Sequence, residues 1–253
     1  MKYIDCHCHF KHMIEKGLNI ERIIQNMQQN NVLIAINSPV FLEEYTEALK
    51  IQEEYPSMLR TTLGSSPSRY HQQKIDKVIE NIHENADKII GIGEVGLDYY
   101  WVKEESLQKK QQIIFKRFIA LAEELQLPII IHSREAEQKA YELLKNCETK
   151  VMMHSYGGSP ELAKKCSENG FYISIPTCVT NRKKHQKIVQ AVKIQHLLTE
   201  TDAPFLSPLT NKKPNEPANI IYGVKKIAEI KEMDTQETAK ITYRNACKLF
   251  NLQ

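Results

Sequence analysis

Short runs of apolar and β-branched residues alternate along the chain with longer segments whose apolar residues recur every three or four positions. Eight of the short runs predict β-strands. Several of them are apolar almost without a break, which is typical of parallel strands that are buried on both faces. The predicted strands cover residues 3–8, 31–37, 58–64, 88–94, 127–132, 150–154, 171–175 and 196–200.

The segments between these runs predict amphipathic helices. The clearest covers residues 107–125, where an apolar stripe at helical spacing lies among Lys, Gln and Glu. Another helix is expected to begin at residues 159–160, with serine as the N-cap and proline in the first helical position. Two further helices are predicted near residues 218–231 and 235–250.

Eight strand–helix units in 253 residues favour an α/β fold, a single-domain (β/α)8 TIM barrel over residues 1–253. An open doubly wound sheet is the alternative. The glycine-rich phosphate fingerprint that often accompanies that fold is absent after the first predicted strand. In a barrel, the carboxyl ends of the strands form the rim where the chemistry takes place. We therefore looked for reactive side chains at the strand ends.

The first predicted strand places two histidines on one face. Successive side chains of an extended chain point in opposite directions, so Asp5, His7 and His9 share a face and Cys6 and Cys8 take the other. Two imidazoles that project the same way can bind one metal ion. A carboxylate on that face can orient a ring by accepting its hydrogen bond, which is the role expected for Asp5.

Four more residues of metal-binding type stand at the ends of later predicted strands: Glu94, His132, His154 and Asp202. A single strand histidine is more often structural, and the indication comes from the coincidence of all these positions. Mixed imidazole and carboxylate ligands suit Zn²⁺, Mn²⁺, Mg²⁺ or Fe²⁺. Six ligands exceed the need of one tetrahedral ion, so two divalent ions are predicted. Glu94 is best placed to bridge them, and Asp202 could bind one ion and accept a proton from water.

Composition narrows the class of protein only a little. The chain is 42% apolar and 26% charged, and its net charge of +3 does not by itself argue for nucleic acid. The six cysteines lack the paired spacing of a structural zinc site, and we expect reduced thiols. No secretory signal or membrane-spanning apolar run is evident, which predicts a cytoplasmic protein that is not inserted in a membrane.

Two motifs at predicted strand ends are Gly-Glu-Val-Gly-Leu-Asp at residues 93–98 and Glu-Thr-Asp-Ala-Pro at residues 200–204. With several other stretches, they resemble the TatD family of metal-dependent hydrolases, within the amidohydrolase-like barrels. The Gly-Glu-x-Gly-Leu-Asp and Glu-Thr-Asp-x-Pro motifs are specific, whereas Asp-x-His-x-His is shared by many hydrolases. The resemblance runs in order from residue 3 to about residue 250. The matching stretches are residues 5–9, 91–100, 127–134, 154–155, 200–206, 215–217 and 244–250.

The resemblance implies a TIM barrel and a divalent-metal deoxyribonuclease, commonly a 3′→5′ exonuclease that takes single-stranded DNA. It also implies how the ligands divide between two ions, and it makes Glu94 the bridge. The catalytic residues are then expected to be Asp202 and Glu94. The first ion is expected at His7, His9 and Asp202, and the second at His132 and His154.

Substrate contacts are expected from residues beside these ligands. Arg134 can bind a phosphate with two hydrogen bonds, unless it pairs with Glu135 or Glu137 instead. Ser155, which follows a ligand histidine, is expected to contact the substrate, and so is Tyr99.

Tyr99 begins a run of three aromatic residues, 99–101, that could stack on bases or simply pack the loop. Base stacking contributes about 1–3 kcal/mol where it occurs. The basic residues at 182–185 and 212–213 could steer a polyphosphate, although such runs are usually a solvated surface.

One position departs from the family pattern. The family usually has Gly-x-His-Pro after the third strand, and Ser66 stands here in place of that histidine. One alternative hypothesis is therefore a catalytically weak nucleic-acid-binding subunit of a larger complex.

Another alternative hypothesis is an amide or ester hydrolase such as an aminoacyl-tRNA deacylase. Many amidohydrolase barrels carry a carbamylated lysine where this chain has Glu94, which favours phosphodiester hydrolysis.

Overall fold

A computed structural model describes residues 1–209 and 214–252. Within them, eight parallel β-strands alternate with ten α-helices. The strands are β1 Tyr3–Cys8, β2 Val32–Asn37, β3 Leu59–Thr61, β4 Ile92–Asp98, β5 Ile129–Arg134, β6 Val151–Met153, β7 Tyr172–Pro176 and β8 Leu197–Glu200. The helices are α1 Phe10–Glu15, α2 Ile20–Gln29, α3 Tyr45–Glu54, α4 Ile75–Glu84, α5 Glu105–Leu125, α6 Glu137–Leu144, α7 Pro160–Glu168, α8 Lys183–Ala191, α9 Ile220–Lys231 and α10 Thr235–Phe250.

The strands form two parallel sheets, β1 to β3 and β4 to β8, that join at both edges. At one junction Leu63 bridges Ile92, and the Gly93 N–H donates to the Leu63 carbonyl at 2.9 Å. At the other junction the His9 N–H donates to the Ala203 carbonyl at 2.8 Å. These bonds close the eight strands into a barrel, so the predicted TIM-barrel fold is confirmed.

The strand core explains why the sequence reads as nearly continuous apolar runs. In β5, Ile129 and Ile131 belong to one buried cluster and Ile130 belongs to another. All three side chains are fully buried. A parallel strand covered by helices outside and by other strands inside offers little room for polar residues on either face.

The helices largely match the predictions. The segment predicted at 107–125 forms α5, and Ser159 caps α7 by accepting a hydrogen bond from the Leu162 N–H. None of the helices in the described residues combines the length and the apolar character needed to cross a bilayer.

The predicted bounds of the fourth strand were wrong. The apolar run near residue 90 suggested a strand ending at Glu94, but β4 begins at Ile92 and continues to Asp98. The preceding Ala86–Lys88 forms a short 3-10 helix, and Ile90 bonds to the Thr61 carbonyl of β3 across the sheet junction. Glu94 therefore lies inside β4, and a second carboxylate ends the strand.

Candidate metal centre

Six side chains that are distant in sequence meet at the carboxyl ends of the barrel strands. Four of them are buried, and the two others are partly exposed. The six are His7 in β1, His9 immediately after it, Glu94 in β4, His132 in β5, His154 immediately after β6, and Asp202 shortly after β8.

The carboxylate of Glu94 lies at the centre of the cluster. Its Oε2 is 3.3 Å from Nε2 of His7 and 3.7 Å from Nε2 of His154. Its Oε1 is 3.6 Å from Nδ1 of His132. The two oxygens thus face histidines from both sides of the barrel, an arrangement in which one carboxylate can bridge two ions.

Three overlapping sets of ligand atoms emerge from these contacts. The atoms of His7, His9 and Glu94 lie within 4.8 Å of one another, and so do those of Glu94, His132 and His154. Asp202 completes a third set with His7 and His154, and its Oδ1 is 3.2 Å from Nε2 of His9. Imidazole nitrogen and carboxylate oxygen are donors that suit borderline and hard divalent ions. The residues present therefore fit the divalent metal expected from the sequence.

Three of the four histidine rings are held by an acceptor on the side away from Glu94. Nε2 of His132 lies 2.9 Å from Oδ2 of Asp98, and Nδ1 of His154 lies 3.0 Å from Oε2 of Glu200. The third ring, His9, places Nδ1 2.7 Å from the Ser38 carbonyl. When each outer nitrogen donates its proton, the inner nitrogen keeps a lone pair for a metal.

The sequence interpretation missed the roles of Asp98 and Glu200, although both stood in the quoted motifs. Asp98 is four residues after Glu94 and Glu200 is two before Asp202. An even spacing places carboxylates on one face of a strand, so the signal was present.

The role expected for Asp5 was wrong. Its carboxylate holds no histidine ring, and instead accepts hydrogen bonds from the Thr201 N–H at 2.8 Å and from the Thr201 hydroxyl. Burial raises the pKa of Asp5 to about 8, in spite of those bonds. Asp5 thus ties β1 to the end of β8, which holds His7 beside Asp202.

The charges of the cluster are strongly coupled. Burial alone would raise the pKa of Glu94, but the hydrogen bond from His7 and the charges of His132 and His154 hold it well below its usual value. Burial and the neighbouring His154 lower the pKa of His7 to about 4. Burial also opposes charge on His154, yet Glu200 and Asp202 raise its pKa to about 10. The central carboxylate is therefore ionised, as a metal ligand must be.

A glycine in β4 allows the close approach that positions His132. Gly96 has φ of +143°, and a Cβ there would lie 2.1 Å from the His132 carbonyl oxygen. Any side chain at this position would separate β4 from β5. Gly96 thus keeps β4 close to β5, where Glu94 and Asp98 on either side of it both contact His132.

A cavity of about 500 Å³ opens above the cluster. Its floor includes His132, His154 and Asp202. Its walls are more exposed and carry aromatic and positively charged groups. The wall residues include Tyr100, Arg134, Ser155, Arg182 and Lys184.

Arg134 lies in this wall without a carboxylate partner in the described part of the chain. Its guanidinium stacks on the Tyr100 ring, 3.7 Å from the ring centroid. Glu135, one of the two partners considered from sequence, pairs with Lys103 at 2.9 Å instead. The stacking holds the guanidinium in place while its N–H groups stay available.

The three aromatic residues at 99–101 have different surroundings, and Tyr99 is not placed as the sequence suggested. The Tyr99 hydroxyl accepts a hydrogen bond from Gln112 of α5 at 2.9 Å, and its ring packs on the core. The loop turns so that Tyr100 lines the cavity and Trp101 is 66% exposed. The structure therefore does not support Tyr99 as a substrate contact, because its side chain is used in packing. Ser155 does line the cavity, as its predicted role requires.

Ser66 lies two residues after Gly64, which packs closely against the backbone of Gly93 and Glu94. Its hydroxyl pairs with that of Ser68 at 3.0 Å, and it does not line the cavity. The basic run at 212–213 lies outside the described residues, whereas Arg182, Lys184 and His185 of the other run line the cavity.

Nearly the whole chain matches known proteins. A family profile described as TatD related DNase matches residues 4–251. An uncharacterized metal-dependent hydrolase of Methanocaldococcus jannaschii is 39% identical, over 99% of this chain and 97% of that protein. The deoxyribonuclease TATDN3 of Homo sapiens is 27% identical, over 98% of this chain and 94% of that protein.

Solved structures agree with the fold. The crystal structure of YjjV, a TatD homolog from Escherichia coli, superposes with a TM-score of 0.88 at 25% identity. The match covers 99% of this chain and 98% of that chain.

Proposed function

The chain belongs to the family of TatD related DNases, and we propose that it is a divalent-metal-dependent deoxyribonuclease that hydrolyses phosphodiester bonds with water. The observation that carries the proposal is the pair of ligand sets that share Glu94, beneath a cavity that His132, His154 and Asp202 line. The wall of that cavity supplies Arg134, a cation with no carboxylate partner in the described residues.

Each residue of the cluster has a proposed role. His7, His9 and Asp202 would hold one ion, His132 and His154 the other, and Glu94 would bridge them. Two divalent ions held there would activate a water and stabilise charge on the phosphoryl oxygens. Asp202 faces the cavity and would accept the proton of the attacking water.

The cavity wall would hold the phosphate and the nucleotide. Arg134 can donate two parallel hydrogen bonds to one phosphate. We propose Ser155 as a further contact, since it lines the cavity beside His154. Trp101, which is 66% exposed beside Tyr100, offers a ring face that an unpaired base can stack on. This supports single-stranded DNA as substrate, and we propose 3′→5′ exonuclease action on it.

The same proposal includes one domain over residues 1–253 and a cytoplasmic location. The six cysteines are free in the structure, which suits a reducing compartment.

The test is hydrolysis of single-stranded DNA labelled at either end, with Mg²⁺, Mn²⁺ or Zn²⁺ added to metal-stripped protein. We expect metal-dependent loss of nucleotides from the 3′ end, faster than on duplex DNA. Cleavage of amides, esters or aminoacyl-tRNA alone would reject the nuclease and favour the amide or ester hydrolase.

Tight DNA binding without cleavage under any of the three metals would instead favour the binding subunit. In that case Ser66→His should restore turnover, since it returns the histidine that the family usually has.

A further inference from the structure

The first turn of α8 carries positive charge where helices normally carry negative charge. Arg182 is the N-cap residue and Lys183 and Lys184 begin the helix, with no acidic residue in the first turn. No side chain caps the free backbone N–H groups either. Because the helix dipole is already positive at this end, cations there are unfavourable unless an anion binds between them.

This helix end opens into the cavity above the metal cluster. Arg182 and Lys184 line the cavity together with His132, His154 and Asp202. Neither basic residue makes an ion pair within the described residues. Their charges are thus uncompensated and face the same space as the proposed reaction.

A buried polar side chain adds an independent indication. His185 also lines the cavity, and it is only 7% exposed. Its Nδ1 has no hydrogen-bond partner among the described residues. Buried polar atoms in native proteins are nearly always satisfied, so an unpartnered one indicates a ligand or water that completes the site.

The cavity therefore has two separate cationic positions. Arg134 comes from β5, while Arg182 and Lys184 follow β7, with β6 between them. A single phosphodiester carries one negative charge and would occupy the position at Arg134. The second position remains for a second anion attached to the same substrate.

We propose that Arg182 and Lys184 form a second phosphate subsite, which binds the phosphodiester next to the one that is hydrolysed. The substrate class is then an oligonucleotide with at least two phosphates, in preference to a dinucleoside monophosphate or another small diester. This inference rests on the proposed nuclease function and adds a length requirement to it.

The experiment compares two substrates that differ by one nucleotide, and therefore by one phosphodiester and one nucleoside. They are thymidine dinucleoside monophosphate and trinucleoside diphosphate, both without terminal phosphates. The measured quantity is the ratio of kcat/KM for the longer to that for the shorter. The variant is Arg182→Ala with Lys184→Ala, and the control is Lys187→Ala with Lys193→Ala. The control removes the same charge from exposed positions that do not line the cavity.

We expect wild type and control to prefer the longer substrate, and the variant to lose that preference by roughly tenfold or more, because it loses charge-assisted hydrogen bonds. An equal preference in variant and control would overturn the subsite. So would a wild type that shows no preference for the second phosphate.

A binding measurement keeps the subsite separate from the nuclease proposal. Anisotropy of a labelled short oligothymidylate is recorded in EDTA at several salt concentrations. The variant should bind more weakly than the control, and the slope of log affinity against log salt should be less steep by about 0.7 per lost phosphate contact. If no metal supports hydrolysis by wild type, the nuclease proposal fails. In that case the salt slope alone tests the subsite, and an equal slope in variant and control would overturn it.

Discussion

The rim of the barrel has an inner ring and an outer wall. The two differ in how many of their side chains are fixed by contacts with other residues of the protein. The inner ring consists of the six candidate metal ligands, and three of its four imidazoles are each held by a hydrogen-bond acceptor. The outer wall has cations with no carboxylate partner in the described chain and an indole that is 66% exposed. We define the outer wall as the cavity-lining residues Tyr100, Arg134, Arg182 and Lys184, together with Trp101, which contacts Tyr100.

The difference agrees with the proposed role of each layer, metal binding for the inner ring and nucleic acid binding for the outer wall. An ion demands ligand atoms at fixed distances, so its side chains must be oriented before it arrives. A nucleic acid strand is flexible and highly charged, and much of its affinity comes from charge and stacking that tolerate movement. Substitutions in the inner ring should therefore affect metal binding, and those in the outer wall should affect substrate binding alone.

The largest effect is expected from Glu94→Ala. Loss of the shared carboxylate should abolish metal loading and lower activity by more than about a thousandfold, several kcal/mol of transition-state stabilisation. The fold should remain, because the apolar core lies below the rim. Metal content by mass spectrometry, activity and circular dichroism measure the three quantities. The matched control is Glu135→Ala, an exposed carboxylate of the same rim that pairs with Lys103. Near-normal rates in Glu94→Ala would contradict the bridging role.

The next largest effect tests whether Asp98 and Glu200 fix the orientation of the histidine rings in the inner ring. Asp98→Asn and Glu200→Gln should each weaken metal affinity by about 10–100-fold, since the histidine they orient loses its charged acceptor. Chelator competition measures the affinity. Saturating metal should recover most of the activity if these residues only position the rings. An unchanged affinity in both variants would show that the rings are held by packing alone.

Arg134→Ala should distinguish the function of the outer wall from that of the inner ring. Metal affinity should stay as in wild type, while kcat/KM for single-stranded DNA should fall roughly tenfold or more, because a charge-assisted pair of hydrogen bonds is lost. Arg134→Lys should recover part of the loss, since lysine supplies the charge without the paired donors. A change in metal affinity in either variant would place Arg134 with the inner ring.

The smallest effect is expected from Trp101→Ala. Loss of one exposed stacking surface should raise KM for single-stranded DNA by about fivefold, near the lower end of base-stacking energies. Hydrolysis of bis(p-nitrophenyl) phosphate, which carries no base, should be affected less. Tyr99→Phe serves as the comparison, because the Tyr99 hydroxyl bonds to Gln112 outside the cavity. A larger effect on DNA from Tyr99→Phe than from Trp101→Ala would reverse the assignment of the loop.

Much of the architecture was predictable because its signals are local. The alternation of apolar runs with helical spacing predicted all eight strands, and the last helix was predicted with the bounds that α10 has. The even spacing of His7 and His9 placed both on one face of a strand, and the structure keeps their Nε2 atoms 3.3 Å apart. Strand ends in a barrel converge whatever the loops do, so the six cluster residues could be identified as a group.

Other features depended on contacts between distant segments. The register of β4 was set by the sheet junction with β3 and by Gly96 against β5, which moved Glu94 inside the strand and left Asp98 to hold His132. Asp5 accepts hydrogen bonds from Thr201 and not from an imidazole. The sequence could not show this, because β8 lies beside β1 only after the barrel has closed.

The sequence by itself determined the fold class and the set of side chains that meet at the rim, because side-chain periodicity is a property of a single strand. The tertiary structure decided which ring nitrogen faces Glu94, which carboxylate lies behind each histidine, and that Tyr100 and not Tyr99 lines the cavity. Those choices depend on the register between strands and on the path of a loop over them. Both are settled by packing across the closed barrel, which no short stretch of sequence encodes.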